Sequence, residues 1–258
     1  MGPYPLFFCR DWSRLSDDLL ALAPDLVSVV LVTDPFLDID SGSLNHCFNR
    51  VVRFKEHYVV DLDQSPEFFV KASHRVSARR ALRKVDVCVC ERPSERLDVW
   101  LELFANLSRR HDIRGLRAFS RRAFETQLRI PGLVMFEATV DGDAVGLDLW
   151  YVQGEVAYGH LAAFSPLGYE VGASYATKWT MLEYFADRVG WLDLGGGAGL
   201  ADAKADGLAR FKAGWSTGTR PVYLCGRILQ PGAYEDLARV NGGCDTGYFP
   251  AYRHGELA

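Results

Sequence analysis

Apolar positions along the chain follow two periods, and the change from one to the other marks the predicted elements. Residues 13–22 fit a short helix. Residues 26–32 hold Leu26, Val27, Val29, Val30, Leu31 and Val32, a β-branched run that predicts a buried strand. Asp34-Pro35-Phe36 ends it, because proline has no N–H for the ladder. Residues 37–50 read as loop and residues 58–62 as a second strand. Pro66 opens a helix where its missing N–H costs nothing, and that helix is expected to reach residue 84. Residues 85–90 form a strand. Pro93-Ser94-Glu95 starts a helix with Leu97, Trp100, Leu101, Phe104 and Leu107 on one face. Residues 109–117 are loop, Ser120 caps a second helix to residue 128, and Pro131-Gly132 breaks it.

Three strands in meander order follow, 134–140, 144–152 and 156–164. Asp141-Gly142-Asp143 and Gln153-Gly154-Glu155 supply hairpin turns between them. A loop at 165–168 leads to a helix over 173–187 with Tyr175, Trp179, Leu182 and Ala186 on one face. Residues 191–194 form a strand stopped by Gly195-Gly196-Gly197. A helix over 203–212 and a long strand over 222–229 complete the pattern. The tail from residue 234 reads as a short helix and an aromatic coil, Tyr248, Phe249 and Tyr252, whose rings are expected to dock. The order points to an α/β protein with a mixed (α+β) sheet and helices on both faces. The helices at 94–108 and 119–128 belong on one face and the 173–187 helix on the other. Three divisions are expected: 1–84, 85–230 and a docking tail, 231–258.

Composition adds bounds. Hydrophobic residues make up 48% of the 258, enough for a sizeable core and too many for a disordered chain. A net charge of −4 gives no global pull toward nucleic acid or anionic membrane, so any polyanion site has to be local. No apolar run is long enough to span a bilayer. Six cysteines occur, Cys88 and Cys90 in one apolar strand with no second pair to complete a zinc site. They read as buried and reduced, with no metal, which fits a cytoplasmic location.

Leu192-Asp193-Leu194-Gly195-Gly196-Gly197, followed by Gly207-Leu208-Ala209-Arg210-Phe211-Lys212-Ala213-Gly214-Trp215, resembles the FemAB-like peptidyltransferase branch of the GNAT acyltransferase superfamily. There a strand ending in D-x-G-G precedes a helix closing on G-L-x-x-F-K-x-G-[FW]. The element order from 86 to 230 is similar to the GNAT fold. The basic helix at 74–84 resembles the arginine-rich helix that ends the family's first half, so residues 1–84 are expected to be a smaller, degenerate GNAT-like half. The resemblance implies acyl transfer to an amine, with no bound cofactor. The acyl donor is then a co-substrate: aminoacyl-tRNA in FemAB-type members, acyl-CoA in other GNAT members. An acyl-CoA-dependent enzyme and a non-catalytic GNAT-like binding protein stand as alternatives.

Acyl transfer needs a seat for the activated carbonyl, stabilisation of the oxyanion, and a route for the amine proton. The resemblance places the reaction where strands 156–164 and 191–194 splay, with Lys212 beside the carbonyl; a helix-end lysine bonding the last carbonyls is the plain alternative. His160, sharing a face with Tyr158 and Ala162 by the period of two, is a candidate base or a buried structural histidine. Asp148 is an acid in an apolar strand, a candidate base or half of an ion pair, and Asp193 and Glu137 are of the same kind.

Tyr169-Glu170-Val171-Gly172-Ala173-Ser174 occupies the place of the CoA phosphate loop, [QR]-x-x-G-x-[GA]. Only Gly172 fits; Tyr169 and Ser174 depart, and Glu170 adds a negative charge, which weakens the case for CoA. Two basic runs favour a large phosphate-rich carrier such as tRNA. One is Arg75, Arg79, Arg80, Arg83 and Lys84; the other spans Arg109, Arg110, Arg114, Arg117, Arg121 and Arg122. Ordinary solvated faces are the alternative for both. The acceptor is read no further than an amine on a small molecule or peptide.

Overall fold

The computed structural model describes residues 6–37, 41–115, 118–197, 207–241 and 247–255. By contacts the chain forms two compact units, one of Met1–Glu56 with Arg220–Ala258 and one of His57–Thr219.

The first unit contains β1 (Leu6–Phe7), α1 (Leu15–Leu20), β2 (Ser28–Thr33), α2 (Ser41–Cys47) and the start of β3 (Arg50–Asp61). β1 runs parallel to β2. Leu15, Leu19, Leu31, Leu44, Phe48 and Cys225 fill its core. The helix α2 replaces the loop expected over 37–50. Its sequence is rich in Ser, Gly and Asn, poor helix formers, and the fold overrides that propensity by burying Leu44, Cys47 and Phe48, which share one helical face.

In the second unit the end of β3 is followed by α3 (Pro66–Phe69), α4 (Ala72–Ala81), β4 (Asp86–Val89), α5 (Leu97–His111) and α6 (Arg121–Gln127). Then come β5 (Leu133–Val140), β6 (Asp143–Gln153), β7 (Val156–Phe164), α7 (Pro166–Val171), α8 (Ala173–Phe185), β8 (Trp191–Gly195) and α9 (Gly207–Ala213). The helix expected from 66 to 84 is two helices, because Val70 and Lys71 are extended (ψ 126 and 133). The N–H of Lys71 leaves the helical ladder and bonds the Gly214 carbonyl at 2.9 Å. The loop expected at 165–168 is the start of α7, capped by the Ser165 side chain on the Gly168 N–H. The sheet of this unit has the order β3-β8-β7-β6-β5-β4. β7 and β8 are parallel and the other neighbouring pairs antiparallel.

Two cores cover the two faces of this sheet. On one, Trp100, Phe104, Phe124 and Leu128 of the α5–α6 segment pack on Met135, Leu147, Leu149 and Ala163. On the other, Met181, Leu182 and Phe185 of α8 with Ala78 of α4 pack on Phe136, Trp150, Ala157 and Leu192. The alternation of apolar residues along β5 and β6 assigns each side chain to its face, and the helices land on the faces expected for them. Cys88 corrects one expectation. It lies on β4, at the end of this strand order, and is exposed.

The second unit is followed by β9 (Gly218–Ile228), whose residues from Arg220 belong to the first unit, and by α10 (Pro231–Val240). β9 pairs antiparallel with β2 through Ser28↔Ile228 to Val32↔Leu224. Tyr234 and Phe249 stack at 5.9 Å, Phe249 lies on Gly226 where a side chain would clash, and the Tyr252 hydroxyl is 2.9 Å from the Ser28 hydroxyl.

Candidate functional site

The parallel strands β7 and β8 pair only through Val156↔Trp191, Ala157↔Leu192 and Tyr158↔Asp193. Beyond that point β8 ends at Gly195, while β7 continues to Phe164 alongside β6. The two strands diverge directly after Asp193, and a cluster of functional groups gathers there.

Asp193 is 2% exposed. Its Oδ1 accepts the N–H of Gly195 at 2.7 Å, closing a tight turn at the strand end. Gly195 has φ +76, a conformation that favours glycine, and a Cβ built on it would lie 3.1 Å from Lys212 Nζ, which places the ammonium against the turn. Lys212, on α9, donates from Nζ to the Gly196 carbonyl at 2.6 Å. The D-x-G-G turn and the lysine of the helix therefore meet. The 203–206 part of the helix expected before Lys212 lies outside the described residues.

His57 was missed in the sequence. Its Nδ1 stands 2.9 and 3.1 Å from the two oxygens of Asp193, and both side chains are 3% exposed. A carboxylate only accepts, so Nδ1 carries the proton. The pair spans 136 residues, and no local pattern around His57 announces it.

The remaining letters of the helix motif are packing. The ring of His74, on α4, sits 5.3 Å from Tyr175, 5.5 Å from Phe211 and 5.2 Å from Trp215. Any Cβ on Gly214 would overlap that ring. Burial first, and the Lys71 charge second, hold the His74 pKa below the usual histidine value.

The other acids and His160 lie elsewhere. Asp148 is 2% exposed and pairs with Lys178 of α8 at 2.7 Å, with that ammonium 4.6 Å from the Trp150 ring centroid. It is half of an ion pair on the α8 face. Glu137 likewise pairs with Arg96 at 2.9 Å. His160 is the extra residue of a bulge, because Trp150 faces Gly159 while Leu149 faces Leu161. The bulge breaks the period of two: Tyr158 and His160 stay on the α5–α6 face, and Ala162 turns to the other, against Ala81 and Ala173. His160 Nε2 bonds Gln127 Oε1 at 2.9 Å, and burial pushes its pKa down to about 4. The ring is neutral at pH 7 and a weak proton acceptor.

That depression makes stability depend on pH. The unfolded chain takes up a proton near 6.5, the folded chain only near 4, so the contribution is intact above 6.5 and lost as pH falls from 6.5 to 4. The loss is on the order of 3 kcal/mol. Urea midpoints at pH 7.5 and 4.5 should therefore differ less for His160→Gln than for wild type; an equal difference would remove His160 from the account.

At the expected phosphate loop and just before it, three backbone N–H groups are bonded internally. Gly168 and Tyr169 bond the Ser165 side chain and carbonyl at 3.1 and 3.0 Å, and Gly172 bonds the Tyr169 carbonyl at 3.3 Å. The Tyr169 ring lies under the Arg110 guanidinium, 4.3 Å from its centroid. Gly172, with φ +78, joins α7 to α8, a Cβ on it would lie 3.6 Å from the Ala81 side chain, and Ser174 follows in the first turn of α8. The two basic runs differ. Arg79, Arg80, Arg83 and Lys84 are exposed. Arg75 instead bonds the Glu67 and Val70 carbonyls. In the second run Arg114 pairs with Asp112 at 2.6 Å, and Arg121 with Asp98 at 2.7 Å and Glu125 at 3.3 Å, so two of its six arginines have an acid beside them. Arg117 lies outside the described residues.

A mixed sheet in which the parallel pair β7–β8 diverges beside a glycine turn is the arrangement of a GNAT-type acyltransferase fold. Residues 72–214 match the family model described as an acetyltransferase (GNAT) domain, and the chain belongs to that family. Among solved structures it resembles FemX, with TM-score 0.66 and 16% identity over 91% of this chain and 83% of that one. It also resembles L-PGS from Bacillus licheniformis, with TM-score 0.55 and 17% identity over 73% of this chain and 65% of that one. No curated protein matches the sequence. Among the described residues no helix is long and apolar enough to cross a membrane.

Proposed function

We propose that this acyltransferase takes its acyl group from a large phosphate-rich carrier, with aminoacyl-tRNA as the donor class, and passes it to an amine. The observation that carries the donor preference is the internally bonded turn α7. A CoA pyrophosphate needs unspent N–H groups at that place, and within the 169–174 segment those of Tyr169 and Gly172 already have partners. Arg79, Arg80 and Arg83 are exposed on the segment that includes α4, the helix locked to α9 through His74, and they suit a backbone of phosphates. A charged-tRNA donor and the five cysteines among the described residues, all free, both go with a cytoplasmic place of action.

In the proposed reaction the amine nitrogen attacks the ester carbonyl and a C–N bond forms. Negative charge gathers on the carbonyl oxygen, where the Lys212 ammonium offsets it. The carbon–oxygen bond to the carrier then breaks, and the ribose oxygen leaves as a hydroxyl with the proton that the attacking amine gives up. Asp193 takes no proton in this scheme; its carboxylate holds the turn. The test is a donor screen with a mixed pool of charged tRNAs against acetyl-, malonyl- and longer acyl-CoA, using amino acids, amino sugars and short peptides as acceptors. Transfer from the tRNA pool alone is expected. Transfer from a CoA thioester alone would overturn the donor reading and leave the family assignment untouched.

A further inference from the structure

Between His57 and Lys212 the contacts form an unbroken series. His57 Nδ1 meets the Asp193 carboxylate at 2.9 Å, Asp193 Oδ1 takes the Gly195 N–H at 2.7 Å, and Lys212 Nζ meets the Gly196 carbonyl at 2.6 Å. The imidazole and the carboxylate belong to side chains only 3% exposed each, so neither can turn to water without opening the sheet. Asp193 sits opposite Val59 on the neighbouring strand, with a shift of register after Tyr58↔Gly195. The ladder alone thus leaves the strand end irregular at the residue where the turn begins.

We propose that His57 is a positioning residue for Lys212: it fixes Asp193, which fixes the Gly195–Gly196 turn that receives and aims the ammonium. This rests on the role proposed for Lys212, but the relay is a statement about orientation and is measurable without substrate. Without the Nδ1 donor, the Asp193 carboxylate is buried with one partner fewer. It then competes for water or for other N–H groups, and the turn loosens. A loosened turn leaves the Lys212 ammonium less firmly held. Asparagine at position 57 places an amide N–H close to where Nδ1 stands; leucine places none.

The first measurement is the rate at which acetic anhydride modifies Lys212, read by peptide mass spectrometry on the folded full chain. His57→Leu should raise that rate by about fivefold, the equilibrium factor of one broken hydrogen bond. His57→Asn should return it close to wild type. The second is turnover with whichever donor the screen selects. His57→Leu should lower kcat by about tenfold with KM little changed, since a small misplacement of a reacting group is costly. In a Lys212→Ala background the same substitution should cost less than about twofold more, because the two residues act as a unit. If His57→Leu does not fold, Asp193→Asn takes its place in both measurements with the same expectations. Unchanged labelling, or kcat losses that multiply, would overturn the relay. Unchanged turnover in Lys212→Ala would instead overturn the role of Lys212, and the labelling result would still decide whether His57 governs its orientation.

Discussion

Lys212→Ala should lower turnover by about tenfold to a hundredfold while the protein stays folded, the loss expected when one charge-stabilising interaction with an oxyanion is removed. The geometry separates the two effects. Lys212 is half-buried at the end of a short helix and bonds the Gly196 carbonyl, and giving up that bond should cost about 1 kcal/mol of stability. The neighbours that pack α9 in place, Phe211, Gly214 and Trp215, are untouched by the truncation. Lys212→Arg keeps the charge but moves it outward on a longer, planar head, and should recover part of the rate at most. The measurement is steady-state turnover alongside a thermal melt. Wild-type turnover in a folded Lys212→Ala would reduce the lysine to a helix-end residue bonding a nearby carbonyl.

The second large effect concerns the donor. Arg79→Glu combined with Arg83→Glu should weaken donor binding by about tenfold to a hundredfold and leave acceptor KM unchanged. It should also flatten the dependence of affinity on salt, because each phosphate left without its arginine takes away roughly one unit of slope. Both side chains are exposed, so the substitutions act on a surface field and not on packing. Arg114 is a poorer choice for this test despite its place in the basic run. It is already paired with Asp112 at 2.6 Å, and Arg114→Glu should have a smaller effect. Affinity for a charged-tRNA pool between about 50 and 200 mM salt reads both quantities. A shallow slope in wild type, unchanged in the double variant, would return acyl-CoA to the lead.

Much of the second unit was legible because its elements obey one rule each. The meander β5–β6–β7 follows from nearly continuous apolar runs, buried on both faces, between turns where Asp141 and Gly142, at φ +52 and +89, supply the backbone a tight hairpin needs. α5 and α8 follow from apolar stripes. What escaped was decided by partners distant in sequence. α2 folds from helix-poor residues because Leu44 and Phe48 find a core. The 66–84 helix breaks because a carbonyl at Gly214 takes the Lys71 N–H. The bulge at His160 changes face assignments that the period of two otherwise settles, and it moved Ala162 away from the histidine. At the site, the motif brought Asp193 and Lys212 to the same turn, yet gave no hint of His57. Asp148 and Glu137 were recognisable as buried acids in need of partners, but only the fold identifies Lys178 and Arg96 as those partners.

The slot at Gly214 bears on how this family's signature can be used. Of the five letters in Phe211-Lys212-Ala213-Gly214-Trp215, three exist to receive the imidazole of His74, and the lysine faces the glycine turn. A search keyed to that string therefore selects for a joint between two helices more strongly than for chemistry. A descendant without the lysine would keep the joint, retain the string at nearly full score, and be gathered with its active cousins. On the role proposed for Lys212, a lysine at position 212 together with an aspartate at 193 marks the chemistry, and the histidine at 74 marks the joint.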